Sequence, residues 1–472
     1  MERTLVEELA RWVLAFDRAA LPPEAVQRAK GLLLDSLGCA LAAVLDETAQ
    51  RTLRVATALG GTPECQIIGT PWRTSVVTAV LANGALIRLL DANDLYWGPR
   101  SGGHPSDNLA VALAVGERQN SPGREVLAAI LLGYELYGRV QDLADAAGHW
   151  DHTTASALVA PAIASRLLQL DLRRTTHALA LGAAHGNVLA AIRAGQLSTA
   201  KALANAIVAQ TGTLATLLAA EGLTGPLGVL DGPHGWTQTV LAGADLASLV
   251  APLDGPLRIM AVSIKAYPCI GTAQAAVAAA IQARRVISSV VAEVDRIELR
   301  MADIPFVRGQ IADQARREPR SRETADHSFY YLVAIALLDG ALTAHQFADG
   351  RWLDPTVRAI MARIHIQPDS RLNAYTPASF PCVLTLVLRD GTAHTVEMLY
   401  APGHPYHPLS ASEIEAKFHA AAGATLPATQ RTAIIECVRT LEAEPSVREL
   451  MALLRPPQVP PLSIAERAAG RE

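Results

Sequence analysis

Aromatic side chains are scarce in this sequence: Phe, Trp and Tyr make up 4% of its 472 residues, although half of the residues are hydrophobic. Alanine and leucine recur throughout the chain and supply much of that apolar surface. This mixture is typical of helices packed on helices, because small residues let the helix axes approach closely. The length allows more than one compact unit with a large buried core.

The sequence also has no long apolar run and no run of like charges. Its longest apolar stretch, 329–338, is far shorter than the roughly 20 residues that cross a bilayer. Glu2, Glu7 and Glu8 lie where a signal peptide needs apolar residues, so we expect a cytoplasmic protein. The net charge is −4, and nothing in the pattern indicates a nucleic-acid groove or a membrane-binding patch.

Five cysteines are scattered along the chain without a CxxC pair, which fits neither a disulfide framework nor a zinc or iron–sulfur site. We therefore predict buried free thiols, no metal and no cofactor. GxGxxG, phosphate-loop and GxSxG motifs are absent as well. The chemistry open to this sequence is acid–base and cationic rather than redox or phosphoryl transfer.

Lysine is rare, since only Lys30, Lys201, Lys265 and Lys417 occur among 41 basic residues. A chain that fills generic cationic positions with arginine retains lysine where a compact ammonium is needed. Lys201 and Lys265 lie in segments that are candidates for a ligand site. Lys30 and Lys417 fit solvated helix positions.

Hydrophobic spacing predicts two kinds of structure along the chain. Apolar residues recur at helical spacing from Ala25 onward, directly after two prolines. Similar alanine- and leucine-rich segments, among them 173–192, predict further helices. After residue 262, alternating apolar residues appear, and Asp390-Gly391 joins two predicted strands in a hairpin. We predict a mainly α protein with a large all-helical domain (1–262) and a smaller α+β lid domain (263–399). Residues 400–472 are predicted to return to the helical domain, where Ser410 and Glu413 form a capping box that begins another helix, and to end in a tail.

The most polar segment, 91–108, concentrates Asp91, His104 and other charged side chains around glycines. A carboxylate near a histidine can fix the tautomer of the ring and raise its basicity, as general acid–base catalysis requires. The alternative is a surface loop whose Asp and Ser residues cap the next helix.

The segment GHWDHTTAS, 148–156, precedes a predicted helix. A helix N-terminus favours anions, so this end can bind a substrate carboxylate while His152 transfers a proton. His149 and His152 have HxxH spacing, but no further ligands for zinc accompany them. The alternative is that Asp or Thr caps the helix and the histidines are exposed.

Arg193, Lys201 and Lys265 flank the predicted boundary between the domains, and clefts between domains commonly bind ligands. Tyr330 and Tyr331 begin a buried apolar helix. A tyrosine in such a position is usually a core residue with its hydroxyl satisfied, although one hydroxyl can face the cleft.

Taken together, these segments resemble the MmgE/PrpD family of 2-methylcitrate dehydratases, cis-aconitate decarboxylases and related epimerases. The resemblance runs from about residue 25 to about residue 420 and is carried by AKGLLLDSLGCALA, DANDLYWGPRSGGHPSDN, LLGYELYGRV, DHTTAS, RAGQLSTAK, EGLTGPLGVLDG, IKAYPCIGTAQ, ADHSFYYLVAIALLDG and YAPGHP. Several of these motifs are most similar to the 2-methylcitrate dehydratase branch. The resemblance implies a helical domain with an α+β lid, a homodimer and a site without metal.

By motif position, the resemblance implies catalytic roles for six residues: Asp91, His104, His152, Lys201, Lys265 and Tyr331. Four positions depart from the family pattern. Leu95 stands where the family often has threonine, and Ala200 stands where it has tryptophan. Ile270 and Thr272 replace residues that are commonly Glu or His. These departures predict a pocket wall that is roomier in one place and more apolar in another. Together with Arg193, the four complete the predicted substrate-binding set.

The expected reaction is elimination of water from a citrate-like hydroxy acid, such as a 2-alkylcitrate or 2-methylcitrate, by proton abstraction beside a carboxylate. Fixed cations would stabilise the developing charge, and the two histidines would act as base and acid. Decarboxylation or epimerisation of a cis-aconitate-like acid uses the same groups. A non-catalytic homologue that binds a carboxylate is the alternative of another class.

Overall fold

The computed structural model describes residues 3–16, 21–144, 149–241 and 244–457. Helices dominate the chain and the main sheet lies in the C-terminal half, which confirms the predicted mainly α fold with a smaller α+β part. The predicted tail lies outside the described residues from position 458 onward. All five cysteines are free and buried, as predicted.

The helices up to residue 262 form the large domain. They are α1 (Leu5–Ala15), α2 (Pro23–Ala43), α3 (Glu47–Leu59), α4 (Val76–Arg88), α5 (Leu109–Gln119), α6 (Gly123–Leu143), α7 (Ser156–Leu167), α8 (Leu172–His185), α9 (Ala200–Ala220) and α10 (Trp236–Thr239). Alanine lines many of their contacts, and the helices share one buried apolar cluster.

Two short strand pairings depart from the all-helical expectation for this part. Strand β1 (Cys65–Gln66) pairs with β2 (Arg73–Thr74), and β3 (Tyr96–Trp97) pairs with β4 (Gly102–Gly103). The second pair lies inside the polar segment 91–108. Because this pairing folds the segment back on itself, Asp91 and His104 come close although thirteen positions separate them in the sequence.

The lid has a second buried apolar cluster of its own. Its elements are α11 (Gln274–Arg284), α12 (Val290–Glu293), β5 (Val294–Ala302), α13 (Pro305–Ala312), α14 (Gln314–Arg317), α15 (Arg322–Ala325), α16 (Phe329–Asp339), α17 (Pro355–Met361), β6 (Ile364–Asp369), β7 (Cys382–Leu388) and β8 (Ala393–Met398). The strand order is β6-β5-β7-β8, and β5 runs parallel to β6 but antiparallel to β7. The predicted hairpin at Asp390-Gly391 is confirmed: Gly391 has φ of 88°, and β7 pairs with β8.

The last described helices are α18 (Ala411–Ala422), α19 (Ala428–Arg439) and α20 (Arg448–Leu453). Ser410 and Glu413 form the predicted capping box at the start of α18. Ile414 and Phe418 of this helix belong to the apolar cluster of the large domain, where α18 packs against α2. The boundaries at 262 and 399 stay predictions.

Helix α8 is shorter than its apolar pattern, 173–192, predicts. It ends at His185. Gly186 follows and lies so close to α7 that a Cβ there would be 2.7 Å from that of Ala157, so the position requires glycine, which is a poor helix former. The chain then turns back, and the amide of Asp151 donates to the carbonyl of Val188. The early end of α8 therefore brings the segment with Arg193 beside the segment with His152.

Helix α9 is long and apolar enough to cross a membrane. Two consecutive lid helices, Phe329–Asp339 and Ala344–Leu353, reach that length only when counted together, and a bend of 114° separates them. In α9, 61% of the apolar window is buried inside the protein. The helix contacts α4, α7 and α8. Packing in the core of the large domain thus accounts for the buried part of its apolar surface.

Candidate functional site

Asp91 lies just beyond the C-terminus of α4 in a left-handed backbone conformation, with φ of 53°. This conformation is uncommon outside glycine, although Asp tolerates it better than most residues. Arg88 ends α4, and its Nη1 lies 2.8 Å from Asp91 Oδ1. Both side chains are no more than 2% exposed. The tight turn therefore places a desolvated ion pair where the helix ends.

Two lysines reach the same carboxylate from different elements. Lys201, in the first turn of α9, has Nζ 3.1 Å from Asp91 Oδ2. Lys265, in the segment leading into the lid, donates to Asp91 Oδ1 and, at 3.0 Å, to the Asp91 carbonyl. Burial raises the pKa of Asp91, but Arg88 and the two lysines outweigh it and hold that pKa well below its usual range. Asp91 is therefore ionised.

The lid contributes a second carboxylate. Lys201 Nζ lies 2.8 Å from Asp326 Oδ1 and 3.3 Å from His327 Nδ1. Burial, assisted by the charge of Lys201, lowers the pKa of His327 to about 4, so this ring is neutral at neutral pH. Lys201 thus bridges the helical domain and the lid. We call Arg88, Asp91, Lys201, Lys265, Asp326 and His327 the Asp91 cluster.

The Asp91 cluster has more cations than anions. Three basic side chains face two ionised carboxylates, and the nearby Asp107 Oδ2 lies 3.9 Å from Arg88 Nε. Burial raises the pKa of Asp107 to about 7, so this carboxyl is only partly ionised at neutral pH. The positive excess suits an anionic ligand, because an acid that enters can take over contacts that the lysines now make with Asp91 and Asp326.

The tautomer of His104 is fixed by its neighbours. Its Nδ1 lies 2.6 Å from the carbonyl oxygen of Asp94, which only accepts, so Nδ1 carries the proton. Its Nε2 lies 3.1 Å from Arg88 Nη2, which only donates, so Nε2 is the acceptor. Burial, followed by the charge of Arg88, holds the pKa of His104 well below its usual range. This ring is a neutral support for Arg88.

His152 is the more accessible histidine, with 17% of its side chain exposed. Its ring lies edge-on to His104, with the ring centroids 5.3 Å apart. The hydroxyl of Tyr137 lies 3.2 Å from His152 Nδ1 and accepts from the amide of His104 at 3.0 Å. Burial lowers the pKa of His152 to about 3. His152 is therefore a neutral ring that can accept a proton, and the lowered pKa makes it a weaker base than a free imidazole.

Arg193 lies beside His152 and forms its main contact with Asp151. Its Nε is 2.8 Å from Asp151 Oδ2. The Asp151 carboxylate also caps the short 3-10 turn His152–Ala155 by accepting from the amide of Thr153. The sequence left two interpretations of this segment, a helix cap and a site histidine. The structure contains the cap at Asp151 and also places His152 beside His104. Arg193, 20% exposed, lies at the accessible edge of the site.

The predicted pocket wall is only partly assembled. Leu95 packs against Gly271, and both line an interdomain cavity of about 30 Å³ together with Lys265, Trp97 and Phe380. Ile270 and Thr272 flank Gly271; both are buried, and the Thr272 hydroxyl has no hydrogen-bond partner within the described residues. Ala200 is exposed at the first position of α9, so its small side chain does not enlarge an enclosed pocket.

Tyr331 lies apart from these residues. Its hydroxyl donates to the carbonyl of Gln346, and its ring contacts Phe347 in the lid core. In the part of the chain that the structure describes, no hydrogen bond or ion pair joins Tyr331 to the Asp91 cluster. The structure brings together five of the six predicted catalytic residues and leaves Tyr331 in a core position.

Three potential metal ligands meet in this site. One ligand atom each from Asp91, Asp326 and His327 lies within 4.8 Å of the others. The ammonium of Lys201, however, already contacts both carboxylates, at 3.1 Å and 2.8 Å. A dication placed between these oxygens would face three basic side chains, so the donor set fits ammonium groups better than a metal.

Sequence reasoning missed Arg88, Asp326, His327 and Tyr137. Arg88 carried a usable signal, because it is the one charged residue of the otherwise apolar α4. Asp326 and His327 stand directly before the tyrosines of ADHSFYY, which drew attention instead. Tyr137 looks like an ordinary core residue of α6, and only the fold shows that its hydroxyl lies between the two histidines.

Comparisons with known proteins identify the family of this chain. The N-terminal domain of the MmgE/PrpD family matches residues 7–249, and the C-terminal domain of that family matches residues 267–443. The chain belongs to the MmgE/PrpD family. The resemblance inferred from the sequence is thereby confirmed.

Relatives within the MmgE/PrpD family include two kinds of enzyme. A cis-aconitate decarboxylase of Mus musculus is 27% identical over 97% of this chain and 95% of its own length. A 2-methylcitrate dehydratase of Cupriavidus necator is 28% identical over 80% of this chain and 82% of its own. An alkylcitrate dehydratase of Talaromyces stipitatus is 25% identical over 88% of this chain and 90% of its own length. At such identities the likeness fixes the family but not the reaction.

Proposed function

We propose that this protein is a hydro-lyase that removes water from a citrate-like acid by abstracting a proton beside a carboxylate. The observation that carries the proposal is the Asp91 cluster, a buried and net cationic group that lies between the two domains next to the neutral ring of His152. A proton beside a carboxylate is weakly acidic, so its removal needs fixed positive charge where the negative charge develops. Lys201, Lys265 and Arg88 supply that charge.

In the proposed step, His152 takes the proton from carbon and becomes an imidazolium. Asp151 Oδ1, 3.9 Å from His152 Nε2, stabilises the new charge. The electron pair of the broken C–H bond forms the double bond while the C–O bond breaks. The leaving hydroxyl takes a proton from Lys265 and departs as water, and the proton on His152 then restores the lysine. Burial lowers the pKa of Lys265, which makes its ammonium a better acid.

A citrate-sized acid does not fit the closed arrangement. Lys201 and Lys265 are each 1% exposed, and the cavity that borders Lys265 holds about 30 Å³. That volume is close to the share of one water molecule in the liquid. Substrate entry therefore requires the lid to separate from the helical domain along the contacts that Lys201 and Asp326 make.

We further propose that the preferred substrate carries an apolar substituent larger than methyl. Leu95, Trp97 and Phe380 make one side of the interdomain cavity apolar, and Ile270 lies beside it. Each additional buried methylene is worth about 0.8 kcal/mol, so two or three methylenes change the preference by more than tenfold. The exposed Ala200 does not support this idea, which rests on Leu95, Trp97 and Phe380 and on the neighbouring Ile270.

The test compares kcat/KM for citrate, 2-methylcitrate and longer 2-alkylcitrates, with product identified by mass spectrometry. We expect an unsaturated product from at least one alkylcitrate and the highest kcat/KM for a substituent longer than methyl. Lys265→Ala should lose at least a hundredfold in turnover. If 2-methylcitrate is the best substrate of the series, the apolar-wall idea is wrong while dehydration stands.

A second candidate reaction is decarboxylation of a cis-aconitate-like acid. The observation that favours it is the alignment of the mouse decarboxylase along nearly the whole chain. Release of CO2 from cis-aconitate, with no water elimination from any alkylcitrate, would replace the first proposal. If none of these acids reacts but one binds, the protein is a carboxylate-binding homologue.

A homodimer remains part of the proposal. Ile207, Leu214 and Leu218 form an apolar stripe along α9 and are 38–51% exposed. Residues at this spacing share one helix face, so the stripe is a surface that a second copy can cover. Light scattering should give twice the mass of the chain, and Leu214→Glu should lower it to that of one copy.

A further inference from the structure

Lys417 occupies a very different place from the solvated helix position that its sequence context indicates. It lies on α18, with 22% of its side chain exposed, and its Nζ is 2.6 Å from Oδ1 of Asp35 on α2. The Asp35 side chain is fully buried. The prediction of a freely solvated lysine is wrong for Lys417, because the return of the chain after the lid seats α18 against α2. It is also wrong for Lys30, which is 4% exposed and pairs with Glu442.

The same ammonium also holds two points of the main chain. Lys417 Nζ donates to the carbonyl of Ala92 at 2.9 Å and to the carbonyl of Lys265 at 2.7 Å. Ala92 directly follows Asp91, and Lys265 is the residue whose ammonium meets Asp91. One cation therefore ties together the backbones that carry two members of the Asp91 cluster.

The geometry suits lysine in particular. An ammonium has three donors on one atom; here it donates to two carbonyls, and a carboxylate oxygen lies 2.6 Å away as its ion-pair partner. The guanidinium of arginine spreads its donors over a planar fork and cannot direct three of them from one centre. In a chain that uses arginine for most cationic positions, the retention of lysine at 417 fits this need.

We propose that Lys417, anchored by Asp35, is a positioning residue that holds the main chain at Asp91 and at Lys265 so that their side chains meet. Its effect on turnover rests on the proposed function, whereas its effect on the backbone does not. Nearby backbone hydrogen bonds give a direct readout: Leu95 and Ser263 exchange hydrogen bonds at 2.9 Å and 2.7 Å, and the amide of Ile264 donates to Gly403 at 3.0 Å.

The experiment compares the double variant Asp35→Asn/Lys417→Met with Lys30→Met. The double variant removes both charges, so that no unpaired carboxylate is left buried. Lys30 is the control, because it is also buried on α2 and bonds the carbonyl of Arg439 at 2.7 Å, in α19 away from the Asp91 cluster. Its ion-pair partner Glu442 is 47% exposed, so Lys30→Met leaves no buried charge unpaired either. Melting temperature, kcat, KM and amide exchange of peptides covering 92–96 and 263–265 are measured for each.

We expect the double variant and Lys30→Met to melt at similar temperatures. Only the double variant should lose kcat, by at least tenfold with a smaller change in KM, and only it should exchange faster in the two peptides, again by at least tenfold. Wild-type exchange and wild-type kcat in a folded double variant would overturn the proposal. If the wild-type protein turns over none of the acids, the proposed function fails and the exchange data alone decide.

Lys417→Arg keeps the experiment decisive if the double variant does not fold. The arginine retains a positive charge for Asp35, so we expect a folded protein. We also expect faster exchange in the two peptides and a reduced kcat, because both carbonyls cannot be held together with the carboxylate. Unchanged exchange and unchanged kcat in Lys417→Arg would overturn the proposal.

Discussion

The Asp91 cluster and the lid core around Tyr331 both bury polar groups, but they use them in opposite ways. In the lid core, the Tyr331 hydroxyl is committed to the carbonyl of Gln346 and is surrounded by apolar side chains. In the Asp91 cluster, charged side chains from α4, α9 and the lid face one another across a domain boundary. A contact between side chains of different domains can open, whereas a contact inside one core cannot open without unfolding it.

This difference shows why the position of a residue in a family motif is a weaker guide to its function than the hydrogen-bond partner of its polar atoms. Tyr331 stands in a motif that the resemblance marks as catalytic, yet its hydroxyl is satisfied within the lid. Arg88 stands in no recognised motif, yet it contacts both Asp91 and His104. The following predictions test whether the two regions differ in function as they do in structure.

The largest effect is expected from Asp91→Ala. Removal of this carboxylate leaves buried cations without their partner, which typically costs about 3–5 kcal/mol of unfolding free energy. Urea unfolding should show this loss, and turnover should disappear. Glu47→Ala, which breaks the exposed helical pair with Arg51, is the control and should change little. Equal stability losses in the two variants would contradict the importance of the cluster.

His152→Ala should lower kcat by about 10²–10⁴, the usual contribution of general acid–base catalysis. Folding should be retained, because the ring is partly exposed and does not fill the core. The exposed His365 on β6 provides a control, His365→Ala, with wild-type kcat expected. A near-normal rate for His152→Ala would remove this residue from the mechanism.

The two tyrosines offer the same chemical change in the two regions. Tyr137→Phe removes a hydroxyl between the histidines and should lower turnover by more than tenfold. Tyr331→Phe removes the hydroxyl that donates to the Gln346 carbonyl, which should cost about 1–3 kcal/mol of stability with turnover within twofold of wild type. A large loss of turnover in a stable Tyr331→Phe would show that this tyrosine acts in the site after all.

The pH profile should reflect the lowered pKa of His152. As a base, the ring must be deprotonated, and a pKa of about 3 leaves it so down to about pH 5. We therefore expect no loss of kcat/KM from this group as the pH falls from 7 to 5, after correction for ionisation of the substrate. Asp107→Asn removes the carboxyl whose pKa is about 7. If kcat/KM of Asp107→Asn still falls with an apparent pKa near 6.5, the prediction is contradicted.

The smallest effect is expected from chelation of metals. Because ammonium groups already contact Asp91 and Asp326, dialysis against a chelator should leave both turnover and melting temperature unchanged. Elemental analysis of the active protein provides the direct measurement. Stoichiometric zinc or iron that is lost together with activity would show that the cluster binds a metal.

Much of the fold followed from the sequence because it depends on local patterns. Helical spacing of apolar residues, the Asp390-Gly391 turn and the Ser410 capping box each act over a few positions and were found where predicted. The end of α8 was mispredicted because the close approach of Gly186 to α7 is a tertiary contact. The β3–β4 pairing was missed because two-residue strands leave no periodic pattern.

The sequence by itself determined the family, the helical composition and the inventory of Asp, His and Lys side chains. Only the tertiary structure decided which of them meet. Lys201 and Asp326 are 125 positions apart in the sequence. The separation is 174 positions for Lys265 and Asp91, and it is 152 positions for Lys417 and Lys265. No local rule relates residues at such separations. Their contacts arise because the lid closes over α9 and α18 returns to α2, and the low polarity of that buried boundary makes each charge depend on its partner.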